Sequence, residues 1–401
     1  MPYLLPQSFS DTRSLILVLA FGDLSHLEAC TVLSDEIVEV KVVCNRLSIL
    51  NISHQSKKIQ RLAGIHKVAV PHGASFSEEA AAFRDEITRI FEALESKLNF
   101  SVSLYCSRVQ DPEEYDGVVS TLLQIVREAG FRRANLLRPH SGTEMLAKDV
   151  LARNVLDIVV FPAKQGYWTG ITTFIPDFEA MRSRATSRPV ASPEISLSPR
   201  LARLLINLAS LSKGSLLLDP FCGAGTILTE AVLQGVNCIG IDKNPSRISG
   251  AKRNLDWISK EHDPLRLGSC SLEVGDAEKL PVILKGKNVD AVVTEPILLP
   301  RFTSMPSIHN AKRAVSKASK LYSASLYSIG EVVKKGGRVV LVVPSVKTYQ
   351  GKEVSITLEG FEEVGLREFQ PRRDMTFAYP VRLAFESTRW VKRLVYVFER
   401  T

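Results

Sequence analysis

The stretch that most constrains this chain is residues 216–242, where two short apolar runs each end in an acid and a glycine-bearing turn lies between them. Leu216-Leu217-Leu218-Asp219 reads as a buried strand closed by a carboxylate. Phe221, Gly223 and Gly225 follow in a tight turn, and a helix is expected from about Thr226. Glycines in such a turn let backbone N–H groups come close to a ligand. The next apolar run, Cys238 to Ile241, ends at Asp242, 23 residues after Asp219. That is close to the ~20-residue spacing of a ribose-binding acid in nucleotide folds. A third run ends at Gly275-Asp276-Ala277. Acids at three successive strand ends suit a nucleoside, because ligands of open α/β sheets bind at that edge.

The missing elements narrow the nucleoside. After Gly223-Ala224-Gly225 the third glycine of a dinucleotide fingerprint is absent, and no G-x-x-x-x-G-K-[ST] run occurs. Acids in place of a phosphate cradle favour a ligand with no phosphate and a positive sulfonium, which describes S-adenosylmethionine. The candidate cofactor residues are Asp219, Phe221, Gly223, Gly225, Thr226, Asp242, Asp276 and Ala277.

From Leu201 onward strands and helices alternate, which predicts a doubly wound, Rossmann-like parallel sheet. The predicted elements are a helix over 201–211, strands over 215–218, 237–241, 272–274, 289–293 and 338–343, and helices over 227–233, 245–257 and 314–333. Upstream, strands are expected at 14–21, 37–43, 100–106, 157–161 and 167–174, with helices from Leu24, over 76–98 and over 115–129. This mix lacks strict βαβ order and predicts an α+β module. Residues 176–200, rich in Pro, Ser and Arg, read as a linker.

Charge is unevenly placed. Residues 1–175 hold 18 Lys/Arg and 20 Asp/Glu, a net of −2, whereas 176–401 hold 33 and 23, a net of +10. A basic half is compatible with a polyanionic partner. The six cysteines show no CxxC spacing and no metal-site pattern, so no metal and six reduced thiols are expected. No apolar run approaches the ~20 residues of a membrane span, and no secretory signal is expected at the N-terminus. These readings place the chain in the cytoplasm, away from any membrane.

Asp219-Pro220-Phe221-Cys222-Gly223-Ala224-Gly225-Thr226 resembles the cofactor motif of the THUMP-domain-containing tRNA guanosine N2-methyltransferases, the archaeal and eukaryotic tRNA guanosine-10 type. Arg188-Pro189 and Leu197 to Leu208 are similar to the segment entering the catalytic domain of that family, and Arg133 to Pro139 with Trp168-Thr169-Gly170 to the end of its THUMP domain. The resemblance implies a ferredoxin-like region at 1–75, a THUMP RNA-binding domain at 76–175, a linker at 176–200 and a methyltransferase domain at 201–401. It also implies S-adenosylmethionine as methyl donor, tRNA as substrate, and a chain that acts as a monomer or with a small activating subunit.

The sequence departs from this family at the catalytic motif, usually an acid or amide, two prolines and an aromatic. Here the run is Thr294-Glu295-Pro296-Ile297-Leu298-Leu299. Glu295 keeps a hydrogen-bond acceptor for the weakly nucleophilic guanine amine, and Pro296 keeps the first turn residue. The aromatic, whose stacking on a flipped base is worth about 1–3 kcal/mol, is missing. Either Glu295 acts as acceptor with Ile297 and Leu298 sandwiching the base, or the chain is a catalytically altered RNA-binding paralogue. A methyltransferase acting on another RNA base stays open as well. Arg301, Lys312, Arg313, Lys317 and Lys320 follow with no acid among 301–320, as a phosphate-contacting or simply solvated face.

Overall fold

The computed structural model describes residues 13–54, 56–72, 99–106, 112–128, 130–131, 134–153, 155–162, 167–191, 197–296, 299, 302–372, 374–383 and 390–401. The helix expected over 76–98 lies outside the described residues, as do Ile297, Leu298 and Arg301. The chain divides into two compact units. One takes in residues up to Gly22, Asp35–Gln60 and Ile65–Pro176; the other takes in Asp23–Ser34, Arg61–Gly64 and Asp177–Thr401.

The first unit is built on one eight-stranded sheet. Its strands are β1 (Ser14–Leu19), β2 (Ile37–Cys44), β3 (Leu47–Ile52), β4 (Ile65–His72), β5 (Asn99–Leu104), β6 (Asn135–Leu136), β7 (Leu156–Pro162) and β8 (Tyr167–Phe174). They lie in the order β2-β3-β1-β4-β8-β7-β5-β6, antiparallel except where β5 pairs with β6 and β7. The amphipathic helix Pro112–Glu128 buries Tyr115, Val118, Val119, Leu122, Ile125 and Val126. These pack with Phe100, Val102, Ile158 and Val160 of the sheet. Lys67 and Asp157, both almost fully buried, form an ion pair at 2.7 Å. The hydroxyls of Ser101, Ser103 and Thr172 donate to the same carboxylate at 2.7–2.9 Å, so the buried charge is well partnered.

Cys44 and Cys106 form a disulfide in this unit, which corrects the expectation of six reduced thiols; Cys30, Cys222, Cys238 and Cys270 are free. The spacing of 62 residues carries no sequence signal for that pairing.

The second unit carries the doubly wound sheet predicted from the alternating pattern. Its strands are β9 (Leu216–Asp219), β10 (Asn237–Asp242), β11 (Cys270–Val274), β12 (Val289–Thr294), β13 (Val333–Lys347), β14 (Glu353–Ser355), β15 (Leu366–Glu368), β16 (Val381–Arg382) and β17 (Val391–Arg400). The main order is β11-β10-β9-β12-β13-β17-β15. The strands from β11 to β13 are parallel, and β17 closes the sheet antiparallel to β13. The chain runs from β9 outward to β11 and then returns to place β12 on the other side of β9. The strand order therefore reverses between β9 and β12, the switch point at which open α/β sheets bind ligands. The long helix Ile308–Val332, capped by Ser307, buries Val315, Tyr322, Leu326 and Ile329 in the core of this unit.

Residues 176–200 are more structured than their turn-rich composition predicts: Phe178–Thr186 is a helix capped by Asp177. Residues 23–34 also belong to this unit. The helix Asp23–Val32 packs against Pro199–Leu208, and Glu28 accepts hydrogen bonds from Ala63 N, Gly64 N and Asn207 Nδ2 at 2.6–2.9 Å. Among the described residues no helix is long and apolar enough to cross a membrane.

Candidate active site

The site forms at the C-terminal ends of β9, β10 and β12. Asp219 ends β9 and is 1% exposed. Its Oδ1 accepts from Thr294 Oγ1 at 2.7 Å and from Phe221 N at 3.2 Å. Burial pushes the Asp219 carboxyl up to about 7, with these bonds opposing the shift and the charges of Asp242 and Glu295 adding to it. Asp219 thus ties the base of the glycine turn to the end of β12.

Asp242 ends β10 beside the same turn. Its Oδ2 accepts from Gly223 N at 3.1 Å and its Oδ1 from Asn244 N at 2.9 Å. A carboxylate offers about four lone-pair sites, so accepting capacity remains for a diol. Gly223 and Gly225 have φ of +53° and +81°, the left-handed region that disfavours side chains. A Cβ at Gly223 would meet nothing within 4 Å, so this face of the turn borders open space. Asp276 is exposed and caps the 3-10 turn Ala277–Lys279 by accepting from Glu278 N, while Ala277 is buried. Burial pushes the Cys222 thiol far up, which keeps it protonated and unreactive.

Just past β12, Glu295 forms a two-point ion pair with Arg393 of β17. Arg393 Nε donates to Oε1 in a short bond, and Nη2 donates to Oε2 at 3.4 Å. Pro296 follows and is buried.

Residues 187–353 match the family described as UPF0020, RMKL-like, methyltransferase domain. Over 142 residues the chain is 30% identical to the probable tRNA (guanine(10)-N2)-dimethyltransferase of Methanothermococcus thermolithotrophicus, covering 35% of this chain and 77% of that one. The chain belongs to the tRNA guanine-N2-methyltransferase family. It is also 34% identical over 163 residues to the tRNA (guanine(10)-N2)-dimethyltransferase of Methanothermobacter thermautotrophicus, covering 41% of this chain and 43% of that protein. It spans about half the length of the curated relatives it matches, 43%, 53% and 41% for three archaeal dimethyltransferases. The crystal structure of TrmN from Thermus thermophilus shares the fold, with a TM-score of 0.52 at 17% identity, covering 97% of this chain and 99% of that one.

This methyltransferase domain contains site residues that sequence reasoning missed. Asn254, 2% exposed on the helix Pro245–Glu261, donates to Ala224 O at 2.8 Å and to Val190 O at 3.0 Å, and accepts from Val190 N at 2.9 Å. Arg188 Nη1 donates to Thr226 Oγ1 at 2.6 Å. Together these four bonds anchor residues 188–190 to the glycine turn. Asn254 was findable: it is the polar member of an otherwise apolar buried stripe with Gly250, Ala251 and Ile258. Thr294 was hidden as the last residue of an apolar strand.

The basic stretches fare differently. Lys312, Arg313, Lys317 and Lys320 lie on the helix Ile308–Val332, all four exposed. Near the C-terminus, Arg372 pairs with Asp374, and both Arg382 and Lys392 pair with Glu353. With Arg393 on Glu295, these four C-terminal cations are each paired with an acid of the same unit.

Proposed function

We propose that the chain transfers a methyl group from S-adenosylmethionine to the N2 amine of a tRNA guanosine, with the guanosine at position ten as target. The observation that carries this reading is the switch point itself. There Asp219 and Thr294 join β9 to β12, Asp242 holds the glycine turn on one side, and Glu295 stands just beyond on the other.

S-adenosylmethionine, when bound, supplies an electrophilic methyl on a sulfonium. Asp242 would accept from the ribose hydroxyls, and the backbone at Gly223 and Gly225 would lie close beside the ligand. Phe221 and Thr226 would line the turn, and Asp276 and Ala277 the base end. Glu295 would accept an N–H of the guanine amine and aim its lone pair at the methyl, a positioning effect in which errors of about 1 Å cost ~100-fold. Pro296 would fix the turn that follows.

In this reading residues 1–75 are the ferredoxin-like region, 76–175 the THUMP domain that holds the tRNA, 176–200 the linker and 201–401 the catalytic domain. The protein would work in the cytoplasm, as a monomer or with a small activating subunit.

The test is incubation of the full chain with methyl-labelled cofactor and unmodified tRNA, followed by nucleoside analysis. Label in N2-methylguanosine is expected, and it should fall about 10²–10³-fold in Glu295→Ala, the scale of losing one preorganised catalytic partner. Label in another nucleoside would redirect the reading to another RNA base. No label with tRNA still bound would leave an RNA-binding paralogue.

A further inference from the structure

We propose that Arg393 is the positioning residue for the acceptor carboxylate, and that the glutamate at 295 and the arginine at 393 are one device. The proposal rests on the reading of Glu295 given above.

The two residues lie on opposite sides of β13. Thr294 pairs with Leu341 of that strand and Arg393 with Pro344. The side chains must therefore reach across β13 between Leu341 and Pro344, with neighbouring strands about 5 Å away on either side. They meet as a fork on a carboxylate, Nε on Oε1 and Nη2 on Oε2, with side-chain exposures of only 12% and 10%. A planar guanidinium held at two points fixes the plane of the carboxylate as well as its place.

The surroundings explain why a cation is needed there. Asp219 of β9 and Tyr322 of the helix Ile308–Val332 both feel the charge of Glu295. Arg393 sets an opposite charge directly against the Glu295 carboxylate.

The same geometry accounts for the departure from the family's shorter acid or amide. A glutamate carboxylate stands one methylene farther from the backbone than an aspartate carboxylate. That extra reach carries it to the guanidinium of β17. Aspartate at 295 would fall short of Arg393, so the two positions are expected to be energetically and kinetically coupled.

The test uses the full chain and compares single-turnover methylation of unmodified tRNA across pH for the parent, Glu295→Ala, Arg393→Gln, Arg393→Lys, Glu295→Asp and the Glu295→Asp/Arg393→Gln pair. Thermal melting and cofactor affinity are measured on each variant. Arg393→Gln should slow the chemical step by about tenfold to a hundredfold. It should also move the acid limb of the rate profile upward, because the carboxylate loses the adjacent charge of Arg393, with KM for tRNA within about twofold of the parent, as for an effect confined to the transition state. Arg393→Lys should restore the acid limb and only part of the rate, since it keeps the charge without the fork; it also serves if the Gln variant does not fold. In the Glu295→Asp background, Arg393→Gln should add little. A parent-like or faster Arg393→Gln with an unmoved acid limb, beside a crippled Glu295→Ala, overturns the positioning role alone. A parent-like Glu295→Ala overturns the acceptor reading and this inference together.

Discussion

Thr294 Oγ1 donates to Asp219 Oδ1 at 2.7 Å across the point where the strand order reverses. Both residues are buried, 0% and 1% exposed, so water cannot replace the bond if it is lost. A hydrogen bond to a buried carboxylate contributes more than the usual ~1 kcal/mol.

Thr294→Val keeps the shape and removes the donor. It should cost about 1.5–3 kcal/mol in urea denaturation at pH 8. At pH 5, where Asp219 is largely protonated, the loss should be smaller. An unchanged midpoint at pH 8 would show that the hydroxyl bond contributes nothing.

Asp219 sets a pH slope of its own. Its carboxyl titrates at about 7 in the fold against an ordinary value of 3.8. Between those values the folded state binds more protons than the unfolded, so this group's contribution to stability falls as pH rises and levels off above about 7. Asp219→Asn removes the titration. Its unfolding free energy, relative to the parent, should therefore rise with pH from 4 to 7. A difference that stays flat across that window refutes the assignment of Asp219.

Asp242→Ala removes an acceptor that serves the glycine turn and, in the proposed function, the ribose. Calorimetric affinity for S-adenosylmethionine should weaken by roughly 1.5–3 kcal/mol. Unchanged affinity in a folded variant would put the ribose elsewhere.

The Lys67–Asp157 pair gives a prediction for the first unit. Asp157→Ala strands a buried ammonium and should cost about 3–5 kcal/mol. Lys67→Met combined with Asp157→Leu should recover much of that loss, because it leaves no unpaired charge. If the double variant is no more stable than Asp157→Ala, the cost lies in the three hydroxyls and not in the lysine.

The legible parts of the fold are those with a local signal. β8 is readable to the residue, Tyr167–Phe174, and the glycine turn with Asp219 and Asp242 stands where the pattern puts it. The helix Ile308–Val332 starts six residues before the expected Ala314, although Ser307 is available as its cap. β3 and β4 are not expected from the sequence, since Leu47–Ile52 and Ile65–His72 lack clean alternation over their length. Three long-range links are invisible for a different reason. Cys44 meets Cys106 across 62 residues, Arg188 meets Thr226 across 38, and Glu295 meets Arg393 across 98. Periodicity reports which face a residue takes, and these contacts depend on which strands become neighbours.

The helix Asp23–Val32 buries every residue after its first in a unit whose remaining parts come mostly after Asp177. Its packing partner, Pro199–Leu208, begins about 170 residues later in the chain. At a synthesis rate of about 5–20 residues per second, the early helix must wait roughly 10–35 s for the surface it belongs against. During that interval Leu24, Leu27 and Leu33 have no native cover and are open to chaperones or to wrong partners on the ribosome. A fragment that starts at Asp177 would have the opposite defect, a Pro199–Leu208 surface and an Asn207 amide left without Glu28. Cutting the gene at the visible linker therefore does not yield a self-sufficient catalytic half.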